Sequence, residues 1–109
     1  MPPHREIEPL RHLEHQIEFM IFAHQVIVDL LKTPNLAGII GELKHADARK
    51  IFAADPLKAA RDAGVILPAS GVSIAVQEFE KSWQVDIQIA HANSLVIFGV
   101  NSVKGFFVL

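Results

Sequence analysis

The chain has no cysteine among its 109 residues. That absence excludes disulfide staples, thiolate metal sites and a cysteine nucleophile. An excess of either charge is also missing, since ten Lys and Arg face twelve Asp and Glu. With no dense basic stretch there is no electrostatic footprint for nucleic acid. Long apolar runs are missing too. The strongest, Phe19 to Ala23, is interrupted by His24 and Gln25 and bracketed by Glu18 and Asp29, whereas a membrane span needs roughly 20 apolar residues. The start, Met1-Pro2-Pro3-His4-Arg5-Glu6, has no apolar run behind a basic residue, so no secretory signal is expected. A cytoplasmic location is the simplest expectation.

Catalytic signatures are equally scarce. Ser70, Ser73, Ser82, Ser94 and Ser102 fall in turns or strands without a Gly-x-Ser-x-Gly elbow. The Gly38 and Gly41 pair lacks the Lys-Ser or Lys-Thr that completes a phosphate loop. His91 has no nucleophile beside it. We expect no enzymatic activity and no cofactor.

What the chain does have is apolar side chains, which make up 50% of its residues. A domain of this length buries roughly 65% of its unfolded surface and folds without staples. An apolar fraction this high leaves more than one core readily hides, which predicts a homo-oligomer.

The periodicity predicts a single α+β domain over residues 1–109, with a helical part over 6–46. Leu10, Leu13, Ile17, Met20, His24, Ile27 and Leu31 recur in alternating steps of three and four, the seam of a heptad helix from Glu6 to Lys32. Phe19, Phe22, Val26 and Leu30 widen its apolar side, so the helix should be buried on more than one flank. Thr33 is the expected N-cap and Pro34 the first residue of a second helix reaching His45. Asp47 is the expected cap of a third helix. Asp55, with Pro56 behind it, is the expected cap of a fourth, which Gly64 ends and Pro68 keeps from resuming. From Gly71 the period becomes two. Val72, Ile74 and Val76, then Trp83, Val85, Ile87 and Ile89, alternate with small or polar residues, the pattern of half-buried strands. Leu95 to Val100 and Val103 to Leu109 are apolar on both faces, with turns expected at Ala92-Asn93 and Asn101-Ser102. The sum is four helices on one face of a four-stranded antiparallel meander.

Six histidines raise the question of a metal. Glu8, His12 and His15 lie within about 60° of one another on a helical wheel, so one face offers three ligands. That face lies opposite the seam, where water rather than a sheltered cleft is expected, and it is a weak metal candidate. His24 differs because it occupies the seam itself. A polar residue there more often fixes register or subunit number than performs chemistry, and it can add a proton-sensitive contact. Arg49, Lys50, Lys58 and Arg61 make the third and fourth helices basic on their polar side, more simply as solubilising charges than as a docking patch. Trp83 is expected to anchor the helix-sheet junction.

The series Asp55-Pro56, Ala59-Ala60, Gly64, Leu67-Pro68, followed by Val72 to Glu78, resembles the nitrile-hydratase-like leader peptides of bacterial ribosomally made natural products, over residues 47–90. The resemblance implies a non-catalytic folded leader, a recognition handle gripped by peptide-modifying enzymes. Asp55, Pro56, Gly64 and Pro68 would then be fold determinants, with Lys58 and Arg61 on the adjoining surface. The chain departs from that pattern in several places. No Gly-Gly or Ala-Gly site follows Ile89, and the strands over 94–109 carry neither cysteine nor threonine for thiazole or lanthionine chemistry. The metal-binding cysteine cluster of nitrile hydratase is missing as well. The alternative expectation is a self-assembling structural or interaction protein built on such a fold.

Overall fold

The computed structural model describes residues 4–91 and 93–109, with side chains described from Leu10 onward apart from Ala92. Four helices precede a four-stranded sheet: α1 (His4–Leu31), α2 (Leu36–Glu42), α3 (Ala46–Ala54) and α4 (Pro56–Asp62), then β1 (Val72–Glu78), β2 (Trp83–His91), β3 (Ser94–Asn101) and β4 (Gly105–Val108). The strands lie in sequence order and every neighbouring pair is antiparallel. This is the α+β meander the periodicity predicts, with the helices on one face.

The register explains why that face is the buried one. Val72 pairs with Ile89, Ile74 with Ile87 and Val76 with Val85, while Ile89 faces Val96 and Ile87 faces Phe98. Side chains alternate across a strand, so all of these residues share one surface. α1 lays Phe19, Ala23, Val26 and Leu30 against it, and those four join Ile87, Ile89 and Phe98 in the core. Gly99 belongs to the opposite surface, where a Cβ would overlap the Val85 carbonyl. Only glycine lets the backbone approach this closely.

Helix boundaries follow local chemistry with two corrections. Thr33 does not cap α2; it is buried and its hydroxyl accepts a 3.0 Å hydrogen bond from the Ile66 backbone N–H. Asn35, in the left-handed region with φ 57°, precedes α2 instead. A tertiary contact with the chain 33 residues onward has overridden a local capping preference. Asp47 likewise lies inside the first turn of α3, whose cap position is His45. There its charge suits the positive end of the helix dipole without serving as the cap. The β3–β4 turn falls one residue later than expected, over Ser102–Lys104, with Asn101 Oδ1 accepting from the N–H groups of Val103 and Lys104. In the expected β2–β3 turn, Ala92 lies outside the described residues.

α1 is longer than the body it packs on. Its 28 residues span about 42 Å at 1.5 Å per residue. The first of its residues in the core is Phe19. The molecule consequently measures 64 × 29 × 21 Å, with a radius of gyration of 17.1 Å, against about 13 Å for a compact chain of this length.

Candidate functional site

α1 carries two apolar stripes that point in different directions. At 100° per residue the core stripe, Phe19-Ala23-Val26-Leu30, lies about 130° from the mean direction of Leu10, Leu13, Ile17, Met20, His24 and Leu31. The first stripe is buried. The second faces outward, with Leu13 50%, Ile17 46% and Met20 65% exposed. His24 is exposed among them, while Ile27 turns inward and packs against the core. The reason the helix leaves the body at Phe19 is also in the sequence. Continued toward the N-terminus, the core stripe meets His15, His12 and Glu8, polar residues that offer the sheet nothing to bury.

Those three are the metal candidates. Among the described residues no group of His, Cys, Asp or Glu is placed to hold a metal ion, and the side chain of Glu8 lies outside the described residues. His12 Nε2 lies 3.3 Å from Gln16 Nε2, and His15 Nδ1 is 3.7 Å from Glu18 Oε2. The two histidines are therefore engaged with neighbours along the same exposed helix.

The α4 region is built as its sequence suggests. Asp55 Oδ1 accepts from the Lys58 N–H at 3.4 Å, and Pro56 occupies the first turn, where its missing N–H costs nothing. Gly64 has φ 94° and follows the end of the helix, a conformation strained for any residue with a Cβ. Lys58 is exposed and pairs with Asp62 at 3.3 Å. Arg61 is exposed as well but does more than solubilise. Its Nη2 donates to the Pro68 carbonyl at 2.8 Å and ties the helix to the segment that leads into β1.

Arg49 is the residue whose role the sequence conceals. Its side chain is only 11% exposed. Nε and Nη2 donate to the two Glu78 carboxylate oxygens at 2.6 and 3.3 Å, and Nη1 donates to the Leu43 and Lys44 carbonyls at 3.0 Å each. The guanidinium also sits 5.3 Å from the centre of the Trp83 ring. One planar fork thus joins the α2–α3 connection to the β1–β2 hairpin. This corrects the reading of Arg49 as a solvated charge and shows what Trp83 anchors. No spacing within the chain signals a partner 29 residues away.

Between α2, α3 and the helix-facing side of the sheet runs a groove of about 370 Å³, lined entirely by apolar residues and glycine, among them Leu31, Ile40, Phe52, Val100, Phe106 and Val108. A second cleft of about 320 Å³ brings Glu18, Ser70 and His91 to one place. No hydrogen bond joins those three among the described residues. The outer sheet face carries a polar chain instead. The Gln77 and Gln84 side-chain amides donate to the two oxygens of buried Asp86, and Asn101 donates to Gln84 at 3.0 Å. Among the described residues no buried side-chain polar atom is left without a partner.

Among the described residues no helix is long and apolar enough to cross a membrane. No protein-family model, no curated protein and no solved structure matches the chain.

Proposed function

We propose that this protein is a non-catalytic, self-associating protein whose α1 packs against α1 of a second copy along Leu10, Leu13, Ile17, Met20, His24 and Leu31. The two-stripe construction of α1 supports this reading. One stripe satisfies the protein's own core, and the other, at heptad spacing, remains in water. From Leu10 to His24 the alternating steps of three and four match a second helix with the same spacing, because knobs then meet holes along that stretch. A second copy supplies such a helix. His24 would sit near the middle of this contact, where a polar side chain sets register at some cost in affinity.

Sedimentation velocity across micromolar concentrations tests the proposal. Wild type is expected to sediment above its 12.0 kDa chain mass. Leu13→Lys together with Ile17→Lys should weaken association without lowering core stability, because neither residue belongs to the core. His24→Leu should retain or raise the stability of the assembly while changing its subunit number. A wild-type chain that stays at 12.0 kDa up to about 100 μM, where a contact stronger than about 5.5 kcal/mol would be populated, refutes the proposal.

A second reading keeps the leader resemblance: a docking handle for peptide-modifying enzymes, centred on α4. Its support is the arrangement of Asp55, Pro56 and Gly64 around a short exposed helix. Lys58→Glu is the cleaner probe, because Arg61 also ties down Pro68. Weaker binding to a purified radical or cyclodehydratase-type enzyme from a neighbouring gene, with an unchanged melt, would support the handle. Equal binding by both forms would remove it.

A further inference from the structure

We propose that β4 is a second self-association surface, on which two copies pair edge to edge through Phe106, Phe107 and Val108 to form one continuous eight-stranded sheet. This extends the self-association reading to an independent surface and can fail separately from it.

The backbone pairing supplies the argument. Leu109 and Ile97 exchange both main-chain hydrogen bonds, N–H to carbonyl in each direction. Bonded and non-bonded pairs alternate along an antiparallel ladder. Phe107 opposite Gly99 and Gly105 opposite Asn101 are therefore also bonded pairs. Phe106 and Val108, opposite Val100 and Phe98, fall between them. Their N–H and C=O groups point away from β3, toward the open edge of the sheet.

These outward groups are self-complementary. If two β4 strands run antiparallel with Phe106 of each opposite Val108 of the other, both pairs are bonded and all four donor-acceptor contacts close. Phe107 then faces its own twin across the two-fold axis as a non-bonded pair, where side chains approach most closely. No shift by one residue satisfies the same groups, so the hydrogen-bond pattern itself chooses the register.

Edge strands of natural sheets are usually blocked by lysine, proline, a bulge or a covering element. Among the described residues β4 has none of these. Residues Gly105 to Leu109 contain no charged side chain and no proline, and Phe106 and Val108 are 67% and 65% exposed. The other edge, β1, is flanked by α3 and α4 and ends at Glu78, which holds Arg49. The open apolar groove continues to this same edge, since Phe106 and Val108 form part of its wall. A paired copy brings its own Phe106 and Val108 onto that side of the joined sheet. A second copy is thus the occupant that matches both the hydrogen bonds and the apolar surface.

The absence of cysteine makes the test direct. Non-bonded antiparallel pairs place Cα atoms about 4.5 Å apart, inside the range that a disulfide spans. Phe107→Cys in the full chain should cross-link to its twin under mild oxidation. Phe106→Cys should not, because its twin is displaced by two residues, beyond the roughly 7 Å that a disulfide can bridge. Independently, Val108→Pro removes an outward N–H and leaves the β3 ladder intact, so it should keep the fold and weaken edge pairing about 30-fold or more. Val108→Ala keeps the N–H and should weaken it less.

Combined with the Leu13→Lys, Ile17→Lys pair, Val108→Pro should yield a 12.0 kDa monomer, while each change alone leaves the other contact. Equal cross-linking at positions 106 and 107, or an unchanged mass distribution for Val108→Pro, overturns the edge proposal and leaves the α1 seam standing. If Val108→Pro alone gives a monomer and the lysine pair changes nothing, the edge stands and the seam fails.

Discussion

Replacing Arg49 by alanine should be among the most damaging single changes outside the apolar core. The contacts set the size. The Nη1 group shared by the Leu43 and Lys44 carbonyls is a hydrogen bond from a charged donor, which contributes about 1.5 kcal/mol. Its pair with Glu78 is bidentate, but the Glu78 side chain is 56% exposed, and solvent screening reduces the expected contribution to about 0.5 kcal/mol. The stack on Trp83 adds about 0.5–1 kcal/mol. Arg49→Ala should then lose about 2.5–3 kcal/mol, a fall in melting temperature of about 10–20 °C for a domain of this size. Thermal melts followed by circular dichroism at fixed protein concentration would measure it, since association itself makes the midpoint depend on concentration. Two companions sharpen the test. Glu78→Gln removes only the screened pair and should cost about 0.5 kcal/mol. Arg49→Lys keeps the charge without the fork and should recover less than half of the loss. If Arg49→Ala melts within about 2 °C of wild type, well under the shift expected for 1 kcal/mol, the tie between α3 and the hairpin carries no weight. If Glu78→Gln is as harmful as Arg49→Ala, the ion pair rather than the fork holds it.

Other perturbations have comparably definite outcomes, each read as a melting midpoint. Gly64→Ala should cost about 1 kcal/mol from the positive φ alone, because a Cβ there meets no atom within 4 Å; an unchanged melt would mean the turn relaxes freely. Asp55→Ala should cost about 0.5–1 kcal/mol through the lost cap, toward the lower end because the bond to Lys58 is 3.4 Å long. Thr33→Val preserves shape but strands the part-buried Ile66 N–H, a loss of about 1–2 kcal/mol; neutrality would show that water replaces the hydroxyl.

The parts of the fold legible in the sequence are those whose signals are local. Strand alternation from Val72 to Ile89 is local, and it located both strands and their buried face. The caps around α4 are local in the same sense. α1 was harder, because two apolar stripes wind around one helix and periodicity alone cannot say which one the sheet takes. A clue was present: toward the N-terminus the stripe through Phe19 and Ala23 turns polar at His15 and His12, whereas the outer seam stays apolar through Ile17, Leu13 and Leu10. Thr33 misled because a residue suited to capping was claimed by a backbone donor far along the chain. Arg49 and the outward groups of β4 were invisible for a related reason. One depends on a distant carboxylate and the other on hydrogen-bond phase, which residue types do not encode.

The projection of α1 beyond the sheet bears on the kinetics of assembly. Among the described residues of α1 before Phe19 none is buried, and isolated helical segments of about 15 residues are only marginally stable in water. Its opening free energy in a lone chain should therefore be near zero, far below that of the core. Helicity in this arm becomes a product of encounter, gained as the seam docks. An arm that orders on contact sweeps a larger capture radius than a rigid one, which favours rapid association. The ordering entropy is charged against affinity, so the resulting contact should also release quickly. In such a chain the arm's amide protection should rise with protein concentration, in step with assembly.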